Sequence, residues 1–487
     1  MTAPAPSFGN ESTWAQSTTL VVDLDGTLIA SDMLHETFWA ALSQNWSTLF
    51  AAPIALIKGR AALKSILQDM GQVAVDALPY NQEVIDYIQS WRDSGGQAVL
   101  VTATDQRVAN QIAAHVRLFD EVYGSDGDVN LKGDNKAKFL EQKYGTNGFA
   151  YLGDSSADLA VWSRAAKAIT VNASDSTRSK VDSLGCEAEH LTTPGVSRKA
   201  YLKALRPHQW LKNILVFLPI IAAHSFTPGA LGSSLLAFLS FCLIASSVYV
   251  INDLLDLKAD RAHPRKRNRP FASGAIPVSQ GIWMAFGLLF SGFSLAAMIN
   301  LAFFGVMLLY FGITTAYSIR LKRELIVDVC TLAGLYTIRI IAGGVATGTV
   351  LSVWLLAFSI FLFFSLAVVK RQAELVDSAK RGKLGASGRG YHVEDLPVMT
   401  QMAIAAGYLS VLVLALYLNS PTVVSLYAWP VVLWGICPVL LYWISRIIMK
   451  THRGHMHDDP IVFAARDRNS QLCLLLITAL ALGGAVL

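Results

Sequence analysis

From about residue 212 to its end the chain is a succession of apolar runs, and this constrains its fold more than any other feature. Nine such runs fall near 212–226, 231–252, 282–298, 300–318, 325–345, 352–370, 400–418, 424–448 and 470–487. A helix needs about 20 apolar residues to cross a bilayer, and lipid offers no partner to backbone outside a helix or closed barrel. An all-α polytopic membrane bundle of about nine transmembrane helices is therefore expected. Connections beginning near 253, 319, 371 and 449 carry Lys and Arg, whereas FTPGALG, MIN, ATGTVLS and LNSPTVV carry no charge. That asymmetry predicts an inner-membrane protein with its N-terminus and basic connections in the cytoplasm and its C-terminus outside.

Residues 1–205 read as soluble, although the whole chain is 53% hydrophobic. The start, MTAPAPSFGNESTWAQ, has no basic region and no apolar core, so no signal peptide is expected. Cys186, Cys242, Cys330, Cys437 and Cys473 show no CxxC spacing and read as small core residues. The net charge of +5 is modest and no nucleic-acid partner is expected; oligomeric state is not legible.

One stretch carries concentrated charge: NDLLDLKADRAHPRKRNRP, Asn252 to Pro270. Asn252, Asp256 and Asp260 recur every four residues, one face of a helix, and Asp253 sits a turn before Asp256. Carboxylates so close repel unless a cation lies between them, and Mg²⁺ bridging them to a diphosphate would remove the repulsion. Arg261, Arg265, Lys266, Arg267 and Arg269 follow at once. Acid before base at a membrane edge fits a site for Mg²⁺ and a phosphorylated substrate; the bland alternative is a solvated positive-inside loop.

In the soluble part, Thr18–Val22 ends in Asp23-Leu24-Asp25-Gly26-Thr27, Ala98–Val101 ends in Thr102, and Phe149–Leu152 ends in Gly153-Asp154-Ser155-Ser156-Ala157-Asp158. Lys132 and Lys136 come between, Lys136 opening a helical pattern. Strands delivering carboxylates to one sheet edge form a common ligand site. In order and spacing these pieces resemble the four motifs of the haloacid-dehalogenase-like phosphohydrolases. The resemblance implies a Rossmannoid α/β domain in which Asp23 attacks phosphorus and Asp25 serves as acid and base. Mg²⁺ would be held by Asp23, Asp25, Asp154 and Asp158, and the phosphoryl oxygens by Thr102 and a lysine, Lys136 before Lys132. A small helical cap is expected at about 33–90. Its run WSTLFAAPIALI, Trp46–Ile57, is too short to span a bilayer. It reads first as cap core, and otherwise as a helix lying in the membrane interface. Ala168–Asn172 reads as the last strand, and about 174–197 as a linker that closes a 1–197 domain.

The membrane half, 198–487, resembles the UbiA family of intramembrane prenyltransferases, and within it the decaprenyl-phosphate 5-phosphoribosyltransferases. The matching residues are RPHQWLKN with Lys212 and Asn213, the full Asn252–Pro270 stretch, and Tyr317-Ser318 with Lys322 and Asp328. Arg339-Ile-Ile-Ala-Gly-Gly344, Lys370-Arg371-Gln-Ala-Glu374 and His457-Asp458-Asp459-Pro460 also match. Where aromatic prenyltransferases carry a second aspartate-rich motif, this chain offers Glu324 and Asp328 among Lys322, Arg323 and Arg339. A more cationic site suits two phosphorylated substrates.

The resemblance implies transfer of 5-phosphoribose from 5-phosphoribosyl 1-diphosphate to a polyprenyl phosphate. Mg²⁺ would sit on Asp253, Asp256 and Asp260, one ion in each domain. Asn252, Lys266, Arg269, Lys212, Asn213, Tyr317, Lys322, Asp328, Arg339 and Lys370 would bind substrate. The phosphatase would then remove the 5-phosphate from the lipid-linked ribose. The alternative is an aromatic prenyltransferase of quinone or haem synthesis, tethered to a phosphatase for an unrelated metabolite.

Overall fold

The structure is a computed structural model that describes residues 18–125, 131–193, 197–385, 389–456 and 459–486. It divides into two compact units, Met1–Leu205 with Val250–Met284, and Arg206–Tyr249 with Ala285–Leu487.

The first unit is built on six parallel strands: β1 Thr19–Val22, β2 Ala98–Asp105, β3 Glu121–Ser125, β4 Phe149–Gly153, β5 Lys167–Val171 and β6 Glu187–Leu191. Their order is β3-β2-β1-β4-β5-β6. Leu20, Val21 and Val22 are buried, as befits a central parallel strand with apolar side chains on both faces. Val22 pairs with Leu152 of β4, so the two neighbouring strands end level and release Asp23 and Asp154 at one edge. Helix Gln82–Asp93 sends Val84, Ile88 and Trp91 into the core under the sheet.

Three helices form the cap: α1 Met33–Gln44, α2 Thr48–Ile57 and α3 Arg60–Met70. They share a small core of Ala41, Ala52, Ala55, Leu63 and Leu67. The expectation that the Trp46–Ile57 run is cap core is corrected here. Only its small residues face inward, while Leu49, Phe50, Ile54, Leu56 and Ile57 are exposed.

The linker expected at 174–197 also needs correction. Residues Asp175–Asp182 form a helix and Glu187–Leu191 the sixth strand, paired to β5. Its sequence, EAEHL, is polar because it lies at an edge, where Lys167 meets Glu187 and Glu189 at 3.4 and 2.8 Å.

Further along, α4 Asp134–Tyr144 places Lys136 in its first turn, and α5 Pro228–Leu255 runs from the second unit into the first. It is followed by the short α6 Leu257–Arg261 and by α7 Val278–Ile299. Among the described residues, seven helices are long and apolar enough to cross a membrane: α5, α7, Leu301–Ile319, Val327–Thr347, Val353–Lys380, Val393–Leu418 and Pro430–His452. These seven do not confirm the expected count of nine, and the two apolar runs outside them lie at the two ends of the membrane half. Residues Pro207–Phe217 wind as a 3₁₀ helix and only Leu218–Ala222 follow as α-helix, with Pro207 and Pro219 at their starts. Helix Arg468–Val486 opens with Arg-Asn-Ser-Gln, which leaves too short an apolar stretch.

Candidate active sites

In the first unit, Asp23, Asp154 and Asp158 each offer a carboxylate oxygen within 4.8 Å of the others, a set that could hold a metal ion. Glycine permits this crowding. A Cβ on Gly26, whose φ is +75°, would lie 2.3 Å from Asp154 Oδ2, and one on Gly153 would lie 2.9 Å from Asp158 Oδ2. Lys136 donates to Asp23 Oδ1 at 2.5 Å and to the Tyr151 hydroxyl at 3.0 Å, and Tyr151 in turn donates to Asp158 at 2.8 Å.

Burial raises the carboxyls of Asp23, Asp25 and Asp154. Asp23 is pushed up to about 6 by burial, against the pull of Lys136. Asp154 is pushed up to about 8 by burial and then by the charges of Asp23 and Asp158. Asp25 is pushed up to about 7 by burial and by its neighbours Asp32 and Asp23. Burial would lower Lys136, but the Asp23 charge outweighs it and the ammonium is held above its usual value. Such a surplus of buried negative charge fits a hard divalent cation.

Two expected roles in this site change. Asp25 stands outside the carboxylate set: its Oδ1 accepts from the backbone of Met33 at 2.7 Å and its Oδ2 lies 3.4 Å from Thr104 Oγ1. The loop turns that side chain toward the cap, which suits proton transfer better than metal binding. Thr102 is fully buried and its hydroxyl accepts from the Thr104 backbone at 3.1 Å. Strand β2 continues past Val101 to Asp105, so Thr104 takes the place at the cavity wall. Lys132 lines the same cavity of about 1020 Å³, but Lys136 is the lysine that bonds to Asp23. Tyr151 was not foreseen; inside an apolar strand nothing marked it.

The aspartate-rich stretch lies in the same unit. The helix breaks at Asp256, which caps α6, so the expected single helical face is interrupted. Backbone bonds Asp256 to Asn252 and Asp260 to Asp256, 2.9 and 2.8 Å, keep the four-residue spacing. Asp253 and Asp260 are buried, and Asn252 and Asp256 partly so. The three carboxylates do not converge as the sequence reading expected, because Arg269 Nη1 lies between two of them, 3.1 Å from Asp253 and 2.5 Å from Asp260. Lys266 is 4.0 Å from Asp260. Asp260 Oδ1 is buried with no hydrogen-bond partner, and burial, opposed by Arg269, raises its pKa. That oxygen faces the Lys266 ammonium at 4.0 Å, so a metal ion fits here only once Lys266 and Arg269 turn to a substrate's phosphates.

Two charged clusters of the second unit contain residues singled out in the sequence. In one, Lys212 and Lys370 donate to Asp459 Oδ2 at 2.7 and 3.0 Å, with the Tyr336 hydroxyl 3.4 Å away. Arg339, buried nearby, donates to Asn213 at 2.9 Å and to the Tyr310 hydroxyl at 3.2 Å. Asp459 also caps helix Pro460–Arg466 through the Ile461 backbone. Burial favours its neutral form, but Lys370 and Lys212 hold it well below the usual carboxylate range. Asp458 lies outside the described residues.

In the other cluster Asp328 is fully buried and engaged by Arg371, by Arg389 at 3.2 Å and by the Tyr317 hydroxyl at 2.8 Å. Glu374 completes it, 2.5 Å from Arg371 and 3.2 Å from Arg389. The contacts of Arg371 and Arg389 with Asp328 were not foreseen, because they span 43 and 61 residues. Lys322 sits in the 3₁₀ turn Leu321–Arg323, after Leu301–Ile319.

A bundle of membrane-crossing helices, joined to a parallel α/β sheet with aspartates at its carboxyl edge, defines an integral membrane enzyme with a hydrolase-type domain. The chain belongs to the UbiA prenyltransferase family, whose family model matches residues 214–481. The haloacid dehalogenase-like hydrolase model matches residues 20–162. The chain is 39% identical over 457 residues to the uncharacterized protein y4nM of Sinorhizobium fredii, covering 93% of this chain and 88% of that one. It is 37% identical over 283 residues to nodulation protein NoeC of Azorhizobium caulinodans, 58% of this chain and 91% of that one. With the decaprenyl-phosphate phosphoribosyltransferase of Mycolicibacterium smegmatis it shares 40% identity over 195 residues, 37% of this chain and 58% of that enzyme.

Proposed function

We propose that the chain transfers 5-phosphoribose from 5-phosphoribosyl 1-diphosphate to a polyprenyl phosphate and then removes the 5-phosphate from the lipid-linked product. The observation that carries this reading is the joining of a buried aspartate–lysine phosphohydrolase site to a UbiA half that resembles a phosphoribosyltransferase. The division of labour follows residues 1–197 and 198–487, with both active sites on the cytoplasmic face of the inner membrane.

In the transfer, an anionic oxygen of the lipid phosphate attacks ribose C1 as the C1–O bond to diphosphate breaks. The nucleophile is already charged, so no base is required, and the protein's task is to align and neutralise. Lys212, Lys370 and Arg339 are suited to hold phosphoryl oxygens, and Lys266 and Arg269 to meet the departing diphosphate. Divalent ions, if held by the Asp23–Asp154–Asp158 set and, with Arg269 turned to the substrate, by Asp253, Asp256 and Asp260, would supply further charge neutralisation.

In the second reaction Asp23 attacks phosphorus, the P–O5 bond breaks, and protonated Asp25 gives its proton to the ribose oxygen. Asp25 then takes a proton from the water that hydrolyses the aspartyl-phosphate, releasing phosphate and restoring Asp23. Asp25, raised to about 7, is half protonated near neutral pH, as this exchange requires.

The rival reading, an aromatic prenyltransferase, calls for a second carboxylate cluster near Asp328. Arg371, Arg389 and Tyr317 already occupy that carboxyl, which favours the phosphoribosyl reading. The test is to incubate wild type and Asp23→Asn with both substrates. Wild type yields inorganic phosphate and polyprenyl-phospho-ribose, and the variant stops at the 5-phosphate. An unchanged lipid product in the variant sinks the coupling.

A further inference from the structure

The phosphatase cavity has walls that no soluble phosphatase would need. Besides Asp23, Asp25 and Asp154 it is lined by Gly274, Pro277, Ser279 and Gln280. These belong to the stretch between two membrane-crossing helices, and Ser279 and Gln280 stand in the first turn of α7. Both the end of α5 and the start of α7 fall in the same compact unit as the phosphatase. A buried bidentate pair fastens them: Arg261 of α6 donates to Glu36 of α1 at 2.7 and 2.9 Å, and Ser31 donates to the same carboxylate at 2.6 Å.

The cap supplies a second, independent observation. Helix α3 sends Lys64 and Ser65 to the cavity and packs through Leu63 and Leu67 on Ala52 and Ala55 of α2. Among the described residues nothing covers the outer face of α2: Phe50 is 75% exposed, Ile54 58% and Ile57 87%. Its ten residues, TLFAAPIALI, include no charge, and Lys58 follows. A contiguous apolar face of this kind marks a protein or membrane interaction surface, and ten residues are too few to cross a bilayer. The occupant we assign is a bilayer, because the end of α5 and the start of α7, two helices apolar and long enough to cross one, fall in this unit.

We infer that the phosphatase cavity is a lipid-headgroup site: α2 lies in the membrane interface, α7 forms one rim, and the substrate is a phosphomonoester displayed on a membrane-anchored lipid. The inference rests on the phosphatase reading above and adds where the substrate comes from. Ser279 and Gln280 become the residues that distinguish a lipid-borne ester from a free one.

The full chain in lipid nanodiscs tests it. Phe50→benzoylphenylalanine is irradiated and analysed for covalent lipid, and phosphate release is measured from polyprenyl-phospho-ribose 5-phosphate and from soluble ribose 5-phosphate. Expected are a lipid adduct at position 50 and a wild-type preference for the lipid-borne ester. That preference, as a ratio of kcat/KM values, falls about tenfold in Phe50→Glu/Ile54→Glu and in Ser279→Ala/Gln280→Ala. No lipid adduct, a preference for the soluble ester, or ratios unchanged in both variants overturns the inference. Hydrolysis of neither ester sinks the phosphatase reading itself, and the membrane seat is then decided by the adduct alone.

Discussion

Arg269→Gln removes a cation that contacts both Asp253 and Asp260, and its consequences separate a metal site from a structural ion pair. The guanidinium lies 3.1 and 2.5 Å from two carboxylates whose side chains are 3% and 1% exposed. Two unit charges 3 Å apart attract by about 5 kcal/mol at an effective dielectric constant of about 20. Desolvation offsets part of that, and breaking a buried pair by removing one partner costs about 3–5 kcal/mol. The variant in detergent with chelator is expected to lose about that much stability. If the carboxylates form a cation site, Mg²⁺ takes the place of the lost charge. A ligand at 100 times its Kd restores about 2.7 kcal/mol, and at roughly 2–4 °C per kcal/mol this is roughly 5–10 °C. Thermal unfolding with and without millimolar Mg²⁺ measures it. The variant should recover much of its melting temperature while wild type, already neutralised by Arg269, moves less. A variant that melts low and ignores Mg²⁺ refutes the reasoning, because the aspartates would then be partners of an arginine and nothing more.

Other outcomes follow from the same structure. Gly26→Ala sets a Cβ 2.3 Å from Asp154 Oδ2 at a φ of +75°, so phosphate release should fall at least ~100-fold, since misplacing reacting groups by about 1 Å costs that much. Transfer to the lipid should persist, which product analysis checks. Asp459→Asn takes the shared partner from Lys212 and Lys370 and should cost about 3–5 kcal/mol of stability. Tyr336→Phe, whose hydroxyl is 3.4 Å from that carboxylate, should cost about 1 kcal/mol; equal losses would place the energy elsewhere. Without divalent cations, Asp154 at about 8 and Asp23 at about 6 bind protons in the folded state that the unfolded chain, near 3.8, has released. The stability they contribute is therefore full below about pH 4 and is lost as pH rises toward 8. Melting in chelator should fall between pH 5 and pH 8, and Mg²⁺ should flatten the dependence; a rise with pH contradicts the assignment.

The parts of this molecule that depend on order along the chain could be read from the sequence. β1 and β4 are apolar, end in aspartates and lie side by side, so Asp23 and Asp154 meet as their loops implied. Lys136 reaches Asp23 from the first turn of a helix whose pattern was plain. What depends on contact between distant segments could not be read. An apolar decapeptide is equally compatible with a cap core and an exposed face, and α2 is exposed because α3 presents only room for its alanines. The polar edge strand Glu187–Leu191 passes for a linker because its pairing to β5 leaves no apolar period. The aspartate spacing at 252–260 survives, yet Arg269, nine residues beyond Asp260, decides what those carboxylates face. Arg371 and Arg389 reach Asp328 over 43 and 61 residues, distances at which local pattern carries no information.

The central claim is that pentose phosphate, and not a prenyl group, moves onto the lipid. Purified chain incubated with ribose-labelled 5-phosphoribosyl 1-diphosphate, Mg²⁺ and a short polyprenyl phosphate, then separated by thin-layer chromatography, tests it directly. The account predicts that label enters the organic phase as polyprenyl-phospho-ribose and that Asp256→Asn prevents it. Label left wholly in the aqueous phase, with a labelled prenyl diphosphate consumed instead, would contradict it.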